Sequence, residues 1–242
     1  MPKKLPFITI VTIVYNDAKK IESTIKSVCE QSYLNLNYIV IDGGSTDGTV
    51  EIIKRYEDQL YYWRSQKDKG ISDAFNQGLK EAKGHILMLN SGDTLVHKDI
   101  LDVCGKHLSS DLVVFEVLNS LGKRVGINTL SDDLQDLARL PHQGTFIHKD
   151  IYEDVGYYSL GFKIRMDYEF FARVVKTYKP KFINSVIVNF DSSGVSSSLK
   201  HRLKFETEGI LIEYLYFAKS LMALLYRPWV KFIGSFIKRV LK

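Results

Sequence analysis

Between Phe7 and Leu89 four short runs of β-branched, aromatic or aliphatic residues alternate with three longer amphipathic stretches, and that alternation leaves few folds open. Phe7–Tyr15, Leu36–Ile41, Leu60–Ser65 and His85–Leu89 read as strands. Ala18–Gln31, Thr49–Tyr56 and Ser72–Ala82, the last followed by Gly84, read as helices. Strands joined by helical crossovers lie parallel with both faces covered, so the expected fold is α/β: a mostly parallel central sheet with flanking helices. After Asp93 the pattern predicts a helix near Lys98–His107, a strand at Leu112–Leu118 and a strand pair turning at Leu121-Gly122. Helices at Leu134–Leu140 and Tyr168–Lys176 and strands at Gly144–Ile147 and Phe182–Asn189 complete the second half. The Gly/Ser-rich break Ser192–Ser198 divides an α/β body, residues 1–198, from a helical tail, residues 199–242.

With 45% apolar and 25% charged residues over 242 positions, the chain has the composition of an ordinary globular protein. Cys29 and Cys104 both fall in helical stretches, too few for a disulfide framework or a zinc site, and the expected compartment is a reducing cytosol. Lys3 and Lys4 before the apolar run Phe7 to Val14 imitate a secretion signal, but Pro6, the β-branched run and Asn16-Asp17 argue against one. No charge-free apolar stretch reaches the ~20 residues of a spanning helix; Ile210 to Tyr226 carries Glu213 and Lys219. The net charge of +5 comes from the tail, where Lys219, Arg227, Lys231, Lys238, Arg239 and Lys242 follow the last acid, Glu213. The body is near neutral, which argues against a nucleic-acid-binding surface.

Ligands of parallel α/β sheets bind at the carboxyl ends of the strands. Here those ends read Tyr15-Asn16-Asp17, then Asp42-Gly43-Gly44-Ser45-Thr46-Asp47-Gly48-Thr49, then Asn90-Ser91-Gly92-Asp93. Asp17, Ser45 and Asp47 could each simply cap a following helix. Three such clusters on one edge, with no lysine inside any of them, suit a nucleotide accompanied by a divalent cation. Neither G-x-x-x-x-G-K-[ST] nor a G-x-G-x-x-G after the first strand is present, so a P-loop and a standard dinucleotide site are excluded.

Four ordered blocks carry a family resemblance: Thr12-Ile13-Val14-Tyr15-Asn16, Ile41 to Thr49, Asp68-Lys69-Gly70-Ile71-Ser72-Asp73-Ala74-Phe75-Asn76-Gln77-Gly78, and Leu89-Asn90-Ser91-Gly92-Asp93. In order and spacing, over the first hundred residues, the chain resembles the family 2 glycosyltransferases of GT-A fold. The Asn90–Asp93 block and His142-Gln143 look most like the bacterial exopolysaccharide branch, of colanic-acid type. The resemblance implies that Thr12, Tyr15, Asp42 and Asp73 bind the nucleotide of a nucleotide-sugar. It also implies that Asp93 is the last carboxylate of the family's D-x-D motif, holding Mg²⁺ or Mn²⁺ against the diphosphate. Ser91 replaces the first Asp of that motif, which leaves a single full charge for the cation. UDP is the expected nucleotide, with GDP open.

Arg165-Met166-Asp167-Tyr168-Glu169 falls where the family places its catalytic carboxylate, and the resemblance makes Asp167 the general base of an inverting transfer. The alternatives are a helix-capping Asp167 and a catalytic Glu169. His142, Gln143 and Ser91 are candidate donor or acceptor contacts. Arg227, Lys231, Lys238 and Lys242 recur at helical spacing opposite Leu225, Trp229, Phe232, Phe236 and Val240, a pattern suited to the anionic face of a membrane. The reading is therefore a cytoplasmic enzyme, peripheral at the inner face of the membrane, acting on a glycan or lipid-linked acceptor in surface polysaccharide synthesis. Its rivals are a sugar-nucleotide nucleotidyltransferase, which would want a Gly- and Lys/Arg-containing loop after the first strand, and an inactive membrane-associated scaffold.

Overall fold

The computed structural model describes residues 5–126, 133–192 and 202–217. Its first half is β1 (Ile8–Val14), α1 (Ile21–Cys29), β2 (Leu36–Asp42), α2 (Thr49–Lys54), β3 (Tyr62–Ser65), α3 (Ile71–Glu81) and β4 (His85–Asn90). Strands β3, β2, β1 and β4 lie side by side in that order and all parallel, as the alternation predicts. β1 is buried along its whole length because it has a strand on each side and helices over both faces. Successive side chains alternate between those faces. Ile8, Ile10 and Val14 join Ile21, Ile25 and Val28 of α1 in one core, while Val11 and Ile13 join Phe75 and Leu79 of α3 in another.

The second half is β5 (Thr94–Leu95), α4 (Ile100–Gly105), β6 (Leu112–Asn119), β7 (Arg124–Val125), α5 (Leu134–Leu137), β8 (Thr145–His148), α6 (Lys149–Val155), α7 (Met166–Val174), β9 (Lys181–Phe190) and α8 (Arg202–Phe217). Here the sheet becomes mixed. β8 inserts antiparallel between β4 and β6, β9 runs parallel to β6, and β5 closes the edge antiparallel to β9. β5 and α6 have no counterpart in the sequence-based reading. The polar break at 193–198 and the basic residues from Lys219 to Lys242 lie outside the described residues. α8 packs on the body, burying Glu208, Gly209, Ile212 and Glu213 against it. No helix among the described residues is long and apolar enough to cross a membrane.

Candidate active site

The parallel strands carry the β1, β2 and β4 termini to one edge, where the loops are tied to one another. The Gly43 N–H donates to the Val14 carbonyl (2.9 Å) and the Ser91 N–H to the Ile13 carbonyl (3.0 Å). Asn16, in the left-handed region at φ 48°, donates its N–H to the Ser45 hydroxyl (2.7 Å) and accepts from the Thr46 N–H (2.9 Å). Asp47 accepts from the N–H groups of Ala18 and Thr49. Asn16, Ser45 and Asp47 thus join two loops into one ledge.

Two expected nucleotide contacts are turned inward. Thr12 is fully buried and its hydroxyl accepts from Tyr38 (3.0 Å), so its side chain offers a ligand no surface. Asp42 is also fully buried, and its carboxylate accepts from the N–H groups of Gly44 (3.0 Å) and Ser45 (2.9 Å) and the hydroxyls of Ser65 (2.6 Å) and Ser45. A carboxylate with four internal donors shapes its own loop. Tyr15, by contrast, is 64% exposed, and its ring lies over Gly43 beside Asp68. A Cβ at position 43 would stand 2.7 Å from the Asp68 carboxylate, so a larger residue there would push that side chain aside. Asp68 also accepts from the Gly70 N–H (2.7 Å). Asp73, in the first turn of α3, accepts from the Lys69 N–H (3.0 Å) and the Gln77 side chain (3.3 Å). Asp68 and Asp73 line a groove of about 510 Å³ with Arg64, Lys67 and Gln77.

The turn after β4 is pinned by α1, whose Thr24 and Ser27 hydroxyls accept from the N–H groups of Gly92 (2.9 Å) and Leu95 (3.2 Å). Asp93 is 1% exposed and accepts from the N–H groups of Asn90 (2.8 Å) and Asp191 (2.9 Å). Burial pushes its carboxyl up to about 6 against the opposing pull of those donors. Asp191, just beyond β9, is ion-paired with Lys20. The Ser91 hydroxyl oxygen is buried with no hydrogen-bond partner. No group of three or more His, Cys, Asp or Glu among the described residues could hold a metal unaided. Asp93 and Ser91 put a carboxylate and an unpartnered buried hydroxyl on one short turn, oxygen donors of the kind a hard cation takes.

His142 spans from this turn to α7. Its Nε2 lies 3.2 Å from the Asn90 side-chain nitrogen and its Nδ1 lies 3.4 Å from Asp167 Oδ2, while its ring packs edge-on against Phe75. An amide nitrogen only donates, so Nε2 accepts and the proton sits on Nδ1, facing the carboxylate. Gln143 is buried beside it. Asp167 is not the N-cap of α7. That position is Arg165, and the other Asp167 oxygen accepts from the neighbouring Tyr168 N–H (2.7 Å). Burial raises the Asp167 carboxyl, but the His142 hydrogen bond, the Tyr168 N–H and Arg165 outweigh it and leave it below its ordinary value. Asp167 is thus ionised throughout the neutral range. Replacing His142 with Ala removes the largest opposing influence while burial remains, so the acid limb of any Asp167-dependent rate should move to higher pH. A limb unmoved between pH 4 and 8 would show that His142 does not govern this carboxylate.

Glu169 points elsewhere. It is buried and bridged by Arg173 (2.9 and 3.1 Å) and the Tyr216 hydroxyl (2.6 Å), a structural ion pair behind α7. The arrangement thus brings Tyr15, Asp73, Ser91, Asp93, His142 and Asp167 to one edge and leaves Thr12 and Asp42 beneath it. Lys20, Asp68, Asn90 and Asp191 join them unannounced, although Asp68 and Asn90 stand inside two of the sequence blocks.

The family described as Glycosyl transferase family 2 matches residues 9–163. An uncharacterised glycosyltransferase of Mycobacterium tuberculosis (strain H37Rv) is 32% identical over 203 residues, spanning 79% of this chain and 78% of that protein. A PGL/p-HBAD biosynthesis glycosyltransferase of Mycobacterium bovis BCG is 26% identical over 247 residues, spanning 95% and 93%. Among solved structures, S. aureus TarS 1–349 in complex with UDP-GlcNAc aligns with a TM-score of 0.72 at 18% identity, over 86% of this chain and 66% of that one. The mannosyltransferase PcManGT from Pyrobaculum calidifontis, in complex with GDP-Man and Mn²⁺, aligns at 0.71 and 17% identity, over 90% and 66%. At such identities the structures speak for the fold alone, which is GT-A. The family match covers well over half of the chain and the mycobacterial relative most of both proteins, so the chain belongs to glycosyl transferase family 2.

Proposed function

We propose that this glycosyltransferase moves a sugar from a UDP-sugar to a hydroxyl of a glycan or lipid-linked acceptor, with inversion, and that the donor binds together with Mg²⁺ or Mn²⁺. The observation that carries the reading is the bridge from Asn90 through His142 to Asp167, which joins the donor-side turn to an ionised carboxylate. Asp167 takes the proton of the acceptor hydroxyl as that oxygen attacks the anomeric carbon from the face opposite the diphosphate. The bond from that carbon to the diphosphate oxygen breaks, and the proton rests on Asp167. His142 fixes the carboxylate through Nδ1–H. Tyr15 offers an exposed ring for the base, and Asp68 and Asp73 offer acceptors for base or ribose groups. Asp93 and Ser91 would hold the cation, which when bound neutralises charge on the departing diphosphate. UDP is supported by the TarS complex with UDP-GlcNAc, and the cation by the mannosyltransferase complex with Mn²⁺. The exopolysaccharide branch rests on the Asn90–Asp93 and His142-Gln143 patterns.

A panel of nucleotide-sugars tested by thermal shift with and without Mn²⁺ examines the donor, since a ligand that binds only the native state raises apparent stability. Stabilisation by UDP-sugars only when Mn²⁺ is present is expected; equal shifts without it would remove the cation. Ser91→Ala belongs in the same panel. Deleting a buried hydroxyl that has no partner should leave the apo protein as stable or more so, by about 1 kcal/mol. The Mn²⁺-dependent shift should nevertheless shrink, and a full shift would take Ser91 out of the site. The basic and aromatic residues from Leu225 to Lys242 are proposed to meet an anionic membrane surface. Full-length protein should pellet with phosphatidylserine vesicles while a chain ending at residue 217 does not; equal pelleting would leave those residues without that role.

A further inference from the structure

Glu208 lies on α8, the helix farthest along the described chain, and is only 7% exposed. A carboxylate that buried must be satisfied by donors. Here they are three consecutive backbone N–H groups. Lys163 donates to Oε1 (2.9 Å), and Ile164 (2.9 Å) and Arg165 (2.8 Å) donate to Oε2. These amides belong to the segment that leads into α7, ending two residues before Asp167. Only the last of these, Arg165, is the N-cap position of α7, so the glutamate fixes the backbone that leads into the helix and not the N–H groups of its first turn. The next residue fits the same arrangement. A Cβ at Gly209 would stand 2.1 Å from an Arg165 guanidinium nitrogen, and that guanidinium lies over Tyr168 (4.4 Å) and Phe205 (4.5 Å). α8 therefore grips both the backbone and the side chain of Arg165, whose charge helps keep Asp167 ionised.

We propose that Glu208 is a positioning residue for glycosyl transfer, acting through the 163–165 backbone to hold Asp167 where it meets the acceptor hydroxyl. The inference rests on Asp167 being the general base. It gives α8 a role in the chemistry although none of its side chains reaches the cleft edge formed by β1, β2 and β4. Displacing a reacting group by about 1 Å can cost roughly 10²-fold in rate, and Glu208 acts on acceptor activation and not on the donor pocket.

The test is a double-mutant cycle on the full chain with Glu208→Gln, Asp167→Asn and the pair. Glu208→Gln should lower kcat about 10- to 100-fold with the donor KM within a factor of two, and Glu208→Asp should recover part of the loss. The double variant should be no slower than Asp167→Asn alone. Losses that multiply in the pair, or a folded Glu208→Gln with kcat within threefold of wild type, would overturn the proposal. An active Asp167→Asn would instead overturn the general base itself, so the two failures are told apart. If Glu208→Gln does not fold, Gly209→Ala, which pushes on Arg165 from the same helix, replaces it in the cycle with the same expected and overturning outcomes.

Discussion

Asp167→Asn is expected to lower transfer by at least ~10²–10⁴-fold, the usual cost of losing a general base, while leaving donor affinity close to wild type. Asn keeps an oxygen for the Tyr168 N–H and so preserves the local backbone bond. What it loses is the charge and the basic oxygen facing His142 Nδ1 at 3.4 Å, where the amide would present an NH₂ to an N–H. Because Arg165 is the N-cap of α7, a stability loss beyond about 1 kcal/mol is not expected from removing a cap at 167. Turnover within a few-fold of wild type would dismiss Asp167 as the base. Glu169 would be a poor replacement, since Arg173 and Tyr216 already occupy its oxygens.

Arg173→Leu should show the opposite profile, a loss of about 3–5 kcal/mol in folding stability with chemistry intact in whatever remains folded. The Arg173 guanidinium donates to both oxygens of Glu169 and to the carbonyls of Val155, Gly156 and Tyr157, tying α7 to the end of α6. Leucine leaves three carbonyls and a carboxylate without those donors in a nearly dry setting, the Glu169 side chain being 3% exposed. Urea denaturation measures this directly. The double variant Glu169→Leu/Arg173→Leu should regain much of the loss, because removing both charges of a buried pair costs less than removing one. A single-variant penalty under 1 kcal/mol would show that the pair is not structural.

The parallel half of the sheet was legible because β1 and β2 are β-branched runs, β3 is aromatic, β4 is aliphatic, and each crossover is amphipathic. β5 is two residues long, below any periodicity. α6 alternates Lys149, Asp150, Glu153 and Asp154 with only three apolar positions, which hid its helical phase. The insertion of β8 beside β4 depends on His85 and Ile86 meeting His148 and Ile147 across sixty residues, and no local pattern contains that. The site was legible in position more than in orientation. Thr12 and Asp42 do stand near strand ends, but alternation along β1 turns Thr12 into the core, and Ser65 from β3 completes the internal partners of Asp42. Glu208 and Glu213 lie on the buried side of α8, which blurs the amphipathic pattern that would have assigned residues 202–217 to the body.

The way β8 enters the sheet also divides the site by position along the chain. β1 to β4 complete their pairing with one another within the first ninety residues, which also carry Tyr15, Asp68 and Asp73. Asn90 meets its histidine only after residue 142 arrives, and Asp167 is clamped only after residue 208. The residues proposed to meet the nucleotide and the carboxylate proposed as base are thus contributed by opposite halves of the chain, and only the completed sheet brings them together.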